Sequence, residues 1–399
     1  MKKTYIVLLG IITLLIGIQS CEKLEPGAPP EDELLDGPIE GLNYEERQRF
    51  LNGDATFNDE VFTVEKGLGP LFVSNSCVSC HSGDGKGHPF STLTRFGQTD
   101  ETGNKFLHHG GPQLQNRAIP GYLPETIPAG ATFSKFTPPA VTGLGLLESV
   151  PDDLLLAMAD PEDADGDGIS GRVNWINLPS FVTPRSNAVS LDGKYIGRFG
   201  KKGSVYNLLQ QTVDAFAQDM GIATVYNPVD VYSGDEIDPE IETQRVNDLA
   251  FYLKTLKAPI QRNQNDPDVV YGKSIFTSLK CTSCHKPQLT TGDSPISALA
   301  FKEFSPYTDL LLHDMGPGLD DGYTEGTART YEWRTPPLWG LGLSAQSQGG
   351  KFYLLHDGRA KSIEEAIEMH GGEASQARQR YRNLSQNDQA ALIKFLKSL

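Results

Sequence analysis

An unbroken apolar run from Ile6 to Ile18 opens the chain, and beyond it the apolar positions fall into helical spacing. Val205, Leu208, Leu209, Val213, Phe216 and Met220 recur every three or four residues and predict an amphipathic helix with Met220 on its core face. Val246, Leu249, Ala250 and Leu253 predict a second, and Leu392, Phe395, Leu396 and Leu399 a third. The last two end on matching runs, "YLKTL" at 252–256 and "FLKSL" at 395–399, which is a first sign of an internal repeat. A shorter stripe joins Ile363, Ala366, Ile367 and His370. Ser362 is a natural N-cap there, Glu365 completes a capping box, and Gly371 and Gly372 supply a left-handed stop. The pattern therefore predicts a helix from Ile363 to His370 with His370 on its inward stripe. Met369 falls about 100° away, beside Glu365 and Glu368.

Between these elements the chain turns polar. "EPGAPPEDELLDGPIEG" (25–41) is acidic and rich in Pro and Gly, as expected of a tether, and "KAPIQRNQNDPD" (257–268) reads as a boundary. Net charge is −16 over 399 residues, which argues against a nucleic-acid surface and suits a partner with a basic docking face. Lys2 and Lys3 ahead of the apolar run make it a targeting leader, too short to span a bilayer as a mature helix. The leader closes on Ile18-Gln19-Ser20-Cys21, which is similar to a bacterial lipobox, with Gln19 where a small residue is usual. Lipidation of Cys21 would then anchor an exported protein on the periplasmic or surface face of the cell envelope, and a plain secretory signal is the alternative.

Five cysteines are present. Cys21 stands alone, and the others form two identical frames, Cys77-Val78-Ser79-Cys80-His81 and Cys281-Thr282-Ser283-Cys284-His285. C-x-x-C-H is the attachment signature of c-type haem: two thiols reach the two vinyl groups, and the adjacent His ligates the iron. A shared Cys₄ zinc site or a redox dithiol would fit the pairs alone but would leave both His unexplained. Two covalently bound haems c are expected, with His81 and His285 on the irons. A phenylalanine precedes each frame by five residues, Phe72 and Phe276, and a closing helix follows each, an arrangement that resembles the cytochrome c fold. The expected architecture is mainly α, with two tandem cytochrome c-like haem domains, the first carrying a long loop and helix insertion. The divisions are 1–20 leader, 21–56 tether, 57–258 first haem domain and 259–399 second.

Within the insertion, "DADGDGISGRVN" (163–174) sets Asp163, Asp165 and Asp167 at alternate positions before Gly168, as in the first half of a calcium loop. Asn174 stands where a bidentate Glu would close such a loop, so an acidic turn fits equally. "TPPAVTGLGLLES" (137–149) ends an apolar run on Glu148.

These segments, with "GRFGKKGSVYNLLQQTVDAFAQDMGI", "LLHDMGPGLDDG", "EWRTPPLWGLG", "LHDGRAKSIEEAI" and "HGGEA", together resemble the bacterial di-haem oxidoreductase family over roughly residues 60–399. The family's members are peroxidase-like and are sometimes labelled thiol oxidoreductases. More distantly, "RTPPLWGLG…LHDGRAKSIEEAI" is similar to the second haem domain of di-haem cytochrome c peroxidases. The resemblance implies reduction of peroxide or a similar small oxidant at one haem, with electrons from an envelope donor protein relayed through the other. It also sets His370 at those peroxidases' distal Met position, giving a second haem ligated by His285 and His370, of lower potential than a His/Met pair.

Other residues are candidates on local grounds. Glu148 is a candidate acid–base group at the first haem, with Gln113, Gln115, His108 and His109 as lining. Arg334 can pair a haem propionate. His88, His313 and His356 are further distal or supporting candidates, the last with Arg359, and Met158, Met220, Met315 and Met369 complete the mature methionines. Trp175, Trp333 and Trp339 are candidate electron relays. The same residues also suit a non-catalytic electron carrier, or a haem sensor or binding module in an iron-handling envelope system.

Overall fold

A computed structural model describes residues 30–100, 102–107 and 112–399. The leader, Cys21, His108 and His109 lie outside the described residues. Residues up to Leu34 form a separate unit, whose described part carries the 3-10 turn Glu31–Glu33. Residues 35–399 form the second unit.

Two helix pairs organise the molecule. The first joins α1 (Tyr44–Asp54) to α5 (Thr243–Thr255), between which the chain forms α2 (Leu144–Glu148), α3 (Asp152–Met158) and α4 (Leu208–Met220). The second pair joins α6 (Pro267–Ser278) to α9 (Gln386–Ser398), with α7 (Ile363–Glu368) and α8 (Ser375–Arg382) between. In both pairs a glycine permits the crossing. A Cβ at Gly53 would collide with the Asp248 carbonyl and the Tyr252 side chain, and one at Gly272 with the Ala391 carbonyl and Phe395. Forcing a methyl into either contact would cost at least about 1–3 kcal/mol of repacking.

These contacts reveal a repeat stronger than the matching helix ends alone. Gly53 and Phe57 stand four apart, as do Gly272 and Phe276, and they meet Asp248/Tyr252 and Ala391/Phe395 respectively. The aromatic matching Phe276 is therefore Phe57, carried on a π-helical turn (Ala55–Asp59), and not Phe72. Phe72 instead lies in β1 (Leu71–Phe72), paired antiparallel with β3 (Arg117–Ala118).

The expected tether stops short of residue 56. Asn43 and Glu46 form a reciprocal capping box, and α1 packs on α5 through Phe50 and Gly53. With only those two residues buried, α1 presents no apolar stripe that a periodicity search could find.

The mainly α expectation holds, with short antiparallel ladders added. Within the insertion, β2 (Leu93–Phe96) pairs with β4 (Phe133–Phe136), and β5 (Asn174–Ile176), β6 (Ser190–Leu191) and β7 (Lys194–Gly197) form a small sheet in the order β5-β7-β6. In the second half, β8 (Leu289–Thr290) pairs with β9 (Glu303–Phe304), and β10 (Leu312–Asp314) with β11 (Glu332–Arg334). The halves share one core: Leu289, Leu299, Leu310, Leu311 and Trp339 pack with Phe216, Val246 and Leu249. Backbone bonds stitch them together, with Arg172 N–H donating to Leu312 O (3.1 Å), Leu312 N–H returning to Arg172 O (2.8 Å) and Arg334 N–H donating to Lys201 O (3.0 Å). Among the described residues no helix is long and apolar enough to cross a membrane.

Candidate haem sites

Each C-x-x-C-H frame is a tight turn that brings its thiols and imidazole to one place. The N–H groups of Cys80 and His81 donate to Cys77 O (3.1 and 3.0 Å), and that of His285 donates to Cys281 O (3.0 Å). His81 Nδ1 then donates to Pro139 O (2.8 Å) and His285 Nδ1 to Tyr307 O (3.0 Å). This fixes each ring's tautomer and orientation and leaves Nε2 as the free electron pair, as an iron ligand requires. Burial pulls both imidazoles down to about 4, so each stays neutral at physiological pH. Phe57 lies 5.8 Å from the His81 ring and Phe276 lies 6.3 Å from His285.

The thiols fit the same group. Burial pushes Cys77 and Cys281 up to about 12 and raises Cys80 and Cys284 as well. Zinc and dithiol chemistry both need thiolates, which these surroundings disfavour, whereas a neutral thioether to a porphyrin suits them. None of the four is in a disulfide.

The remaining histidines separate by what their nitrogens already hold. His313 has Nε2 on Asp309 (2.9 Å) and Nδ1 on Glu373 (2.7 Å), so neither nitrogen is left for a metal. Burial pulls this imidazole down, but Asp309 and its other neighbours outweigh burial and hold it well above its ordinary value. His356 gives Nε2 to Asp321 (2.7 Å) and stacks on Trp333 at 3.7 Å, and Arg359 reaches the same carboxylate (3.2 Å). His88 accepts from Phe90 N–H (3.2 Å) as the cap of a 3-10 turn.

His370 differs from these. Its Nδ1 donates to Ala366 O (2.6 Å), leaving Nε2 free, and burial lowers its pKa. It is also an electrostatic neighbour of His285. The helix beneath it is shorter than expected, ending at Glu368. Ser362 Oγ caps Glu365 N–H (3.1 Å), but the Glu365 carboxylate turns back to Lys361 N–H (2.6 Å), so the reciprocal half of the box is missing. The left-handed stop is Gly372 (φ +50°), with Gly371 outside that region. A Cβ at Gly372 would collide with Asp314 O, so the glycines also let this turn seat against β10. Met369 is exposed, Met220 is core, and Met158 and Met315 lie half-buried in apolar clusters.

At the first site, Glu148 is drawn away from the free acid–base role expected of it. One oxygen pairs with Lys254 Nζ (2.8 Å) and the other accepts Leu208 N–H (2.6 Å) at the start of α4. A free carboxyl occurs instead in the segment after β2. Glu125 takes Gln115 N–H on one oxygen (2.6 Å), the other makes no hydrogen bond to a described residue, and burial raises its pKa. Gln115 is buried, and its Oε1 has no donor among the described residues. Gln113, also buried, donates to Asp219, which burial lifts to about 6 and which is an electrostatic neighbour of Cys77 and Cys80. Arg117, in the same segment, is a neighbour of Cys80. The sequence flagged Gln113 and Gln115, but Glu125 sits in a Pro/Gly-rich turn whose return to Gln115 has no local signature.

The acidic loop regroups. Asp160 joins Asp163 and Asp165 with oxygens within 4.8 Å of one another, while Asp167 stands outside the trio. Its members already accept loop N–H groups: Asp160 from Ala164 (2.9 Å), Asp163 from Gly168 (3.0 Å) and Asp165 from Asp167 (3.1 Å).

Arg334 donates Nε to Gly200 O (2.9 Å) and Nη1 to Thr335 O (3.0 Å), and among the described residues no carboxylate forms a salt bridge with it. Among the tryptophans, Trp333 donates to Leu319 O (2.8 Å) and carries Lys202 Nζ over its ring at 3.8 Å; Trp339 packs on Phe304 at 5.8 Å, and Trp175 lies in β5.

A family model described as "Di-haem oxidoreductase, putative peroxidase" matches residues 133–399, which takes in the second attachment frame, His370 and Arg334. No curated protein matches. Three solved structures are similar at low identity. The diheme peroxidase BthA from Burkholderia thailandensis E264 shares 16% identity over 94% of each chain, with TM-score 0.41. Hydrazine synthase of Kuenenia stuttgartiensis shares 14% over 94% of each, with TM-score 0.39. A MauG-like protein associated with microbial copper homeostasis shares 16% over 65% of this chain and 89% of its own, with TM-score 0.33.

Proposed function

The chain belongs to the di-haem oxidoreductase family, and from that we propose a division of labour between its two sites: electrons enter at the haem of Cys281, Cys284 and His285, and peroxide or a similar small oxidant is reduced at the haem of Cys77, Cys80 and His81. Both haems are attached through thioethers. What supports the division is the difference between the two imidazoles. His285 has His370 as a neighbour with a free Nε2, which suits a closed, six-coordinate electron carrier. Among the described residues the charged neighbour of His81 is Lys201 and none is a second imidazole, which suits an iron open to a ligand.

Haem iron supplies the electron transfer; the chain must hold the oxidant and handle its protons. The observation that carries the peroxide assignment is the second oxygen of Glu125, which accepts no hydrogen bond from a described residue. A peroxide O–H can donate to that oxygen. A carboxyl with a raised pKa exchanges a proton near neutral pH more readily than an ordinary glutamate, as O–O cleavage requires. The protein is exported and held at Cys21, and its donor has a basic face that complements the net charge of −16.

The test is steady-state peroxide turnover by the haem-loaded protein with an artificial donor. Glu125→Gln is expected to depress turnover at least tenfold, in line with loss of a general acid–base group, with two haems still attached per chain. Full turnover by Glu125→Gln rejects the role, and an iron that takes up no carbon monoxide when reduced points to an electron carrier.

A further inference from the structure

Lys201 and Lys202 are adjacent in "FGKKG", held between Gly200 (φ +81°) and Gly203 (φ +64°), and their fates diverge. Lys202 Nζ is saturated, donating to the carbonyls of Arg329 (3.1 Å), Thr330 (2.7 Å) and Glu332 (2.8 Å). Lys201 Nζ makes no hydrogen bond or salt bridge to a described residue, and neither does Lys86 Nζ. Two further contacts locate this unused charge. Arg334, whose N–H donates to Lys201 O, brings a guanidinium that also meets no carboxylate in a salt bridge. Lys86 adjoins Gly87, whose N–H donates to Pro138 O (2.9 Å), next to the Pro139 carbonyl that orients His81.

Three cations thus gather beside the first attachment site, and each is only half-exposed. The acid they share as an electrostatic neighbour is Asp357, for the two lysines, and it is already bound by Arg359 (2.7 Å). Arg334 has Asp309 as its own acidic neighbour, and that carboxylate is bound by His313. Burial lowers all three cations, and Lys86 and Arg334 each push Lys201 lower still. Like charges crowded out of water are costly without a counter-ion, and a covalently held haem carries two carboxylates of its own.

We propose that Lys86, Lys201 and Arg334 form one anion site that takes the propionate carboxylates of the first haem. The inference rests on the di-haem reading. It adds to Arg334 two lysines that the sequence analysis did not single out, and it gives them an electrostatic role. Cations at the propionates disfavour the ferric state and hold the first haem's potential up.

The experiment is a redox titration of the haem-loaded protein, following each haem by its own bands, with the second haem identified as the one His370→Ala alters. Lys201→Gln is expected to lower the first haem's midpoint and leave the second haem's in place, and Lys201→Arg should restore it. Lys86→Gln should move it in the same direction, and it serves if Lys201→Gln does not fold. An unchanged first-haem midpoint in both glutamine variants overturns the proposal. So does a switch of the first haem from low to high spin in Lys201→Gln, which would make Lys201 an axial ligand. Failure of the di-haem reading is separately visible as a haem content other than two per chain in the unsubstituted protein.

Discussion

His313→Leu tests the electrostatics around the second attachment frame. The imidazole is buried between Asp309 and Glu373, and its Nδ1 also lies 3.5 Å from Cys284 Sγ. Leucine fills similar space but removes the shared cation. Stripping one partner from a buried ion pair costs about 3–5 kcal/mol. Compensation keeps this case near the low end: Glu373 retains Ser170 Oγ (2.8 Å) and Asp314 N–H (3.2 Å), and Asp309 retains Leu311 N–H (3.0 Å). A loss of about 3 kcal/mol is therefore expected at neutral pH, a large part of the roughly 5–15 kcal/mol that holds a typical protein. The assay is urea unfolding of the haem-loaded protein followed by far-UV circular dichroism. The pH dependence has a definite sign. His313 has a folded pKa raised above its unfolded value, so its contribution is complete below about 6.5 and fades as pH climbs through the raised value. The gap between wild type and His313→Leu should accordingly narrow in alkali. Asp309→Asn added to His313→Leu should recover part of the loss, because a single carboxylate with its own N–H donors needs no cation. A loss below about 1 kcal/mol, the level of an exposed pair, would refute the charged triad.

Three further outcomes are expected. His370→Ala should convert one haem to high spin in optical and EPR spectra, and an unchanged low-spin spectrum for both haems removes His370 from the iron. Glu148→Gln should cost about 1 kcal/mol through the lost Lys254 pair and weakened cap, while peroxide turnover persists; a collapse of turnover with normal stability would return Glu148 to the chemistry. Calcium added to chelator-treated protein should raise the melting temperature if Asp160, Asp163 and Asp165 bind it, and an unmoved melting curve makes the loop an acidic turn.

Particular residues show how far the chain foretells its fold. The Ile363, Ala366 and Ile367 stripe is legible because helical spacing is a local property, whereas His370 lies past the helix end at Glu368, beside the exposed Met369. Phe72 and Phe57 show the opposite case. Phe72 has the right interval to Cys77, yet Phe57 reaches His81, because the first unit inserts a loop and a β1 strand between its opening helix and its attachment frame. The α1 helix is hard to read for a related reason: a helix that packs through one glycine and one phenylalanine has almost no periodicity. Glu148 looks desolvated from the apolar run before it, but a lysine on α5 and the first N–H of α4 claim it.

Features that depend on short-range spacing are written directly in the chain. They include two C-x-x-C-H frames, each ending in its His, and closing helices whose stripes repeat, because a tight turn and a helical turn are each fixed within a few residues. Which charges are left without a hydrogen-bond partner depends instead on long-range packing. Lys201 and Lys202 are identical neighbours in the chain, yet the Lys202 ammonium donates to three carbonyls brought from residues 329–332, while the Lys201 ammonium makes no hydrogen bond to a described residue and has Lys86 and Arg334 as charged neighbours. Partners that far apart in sequence are joined by packing alone, and the electrostatic character of each site comes from that packing.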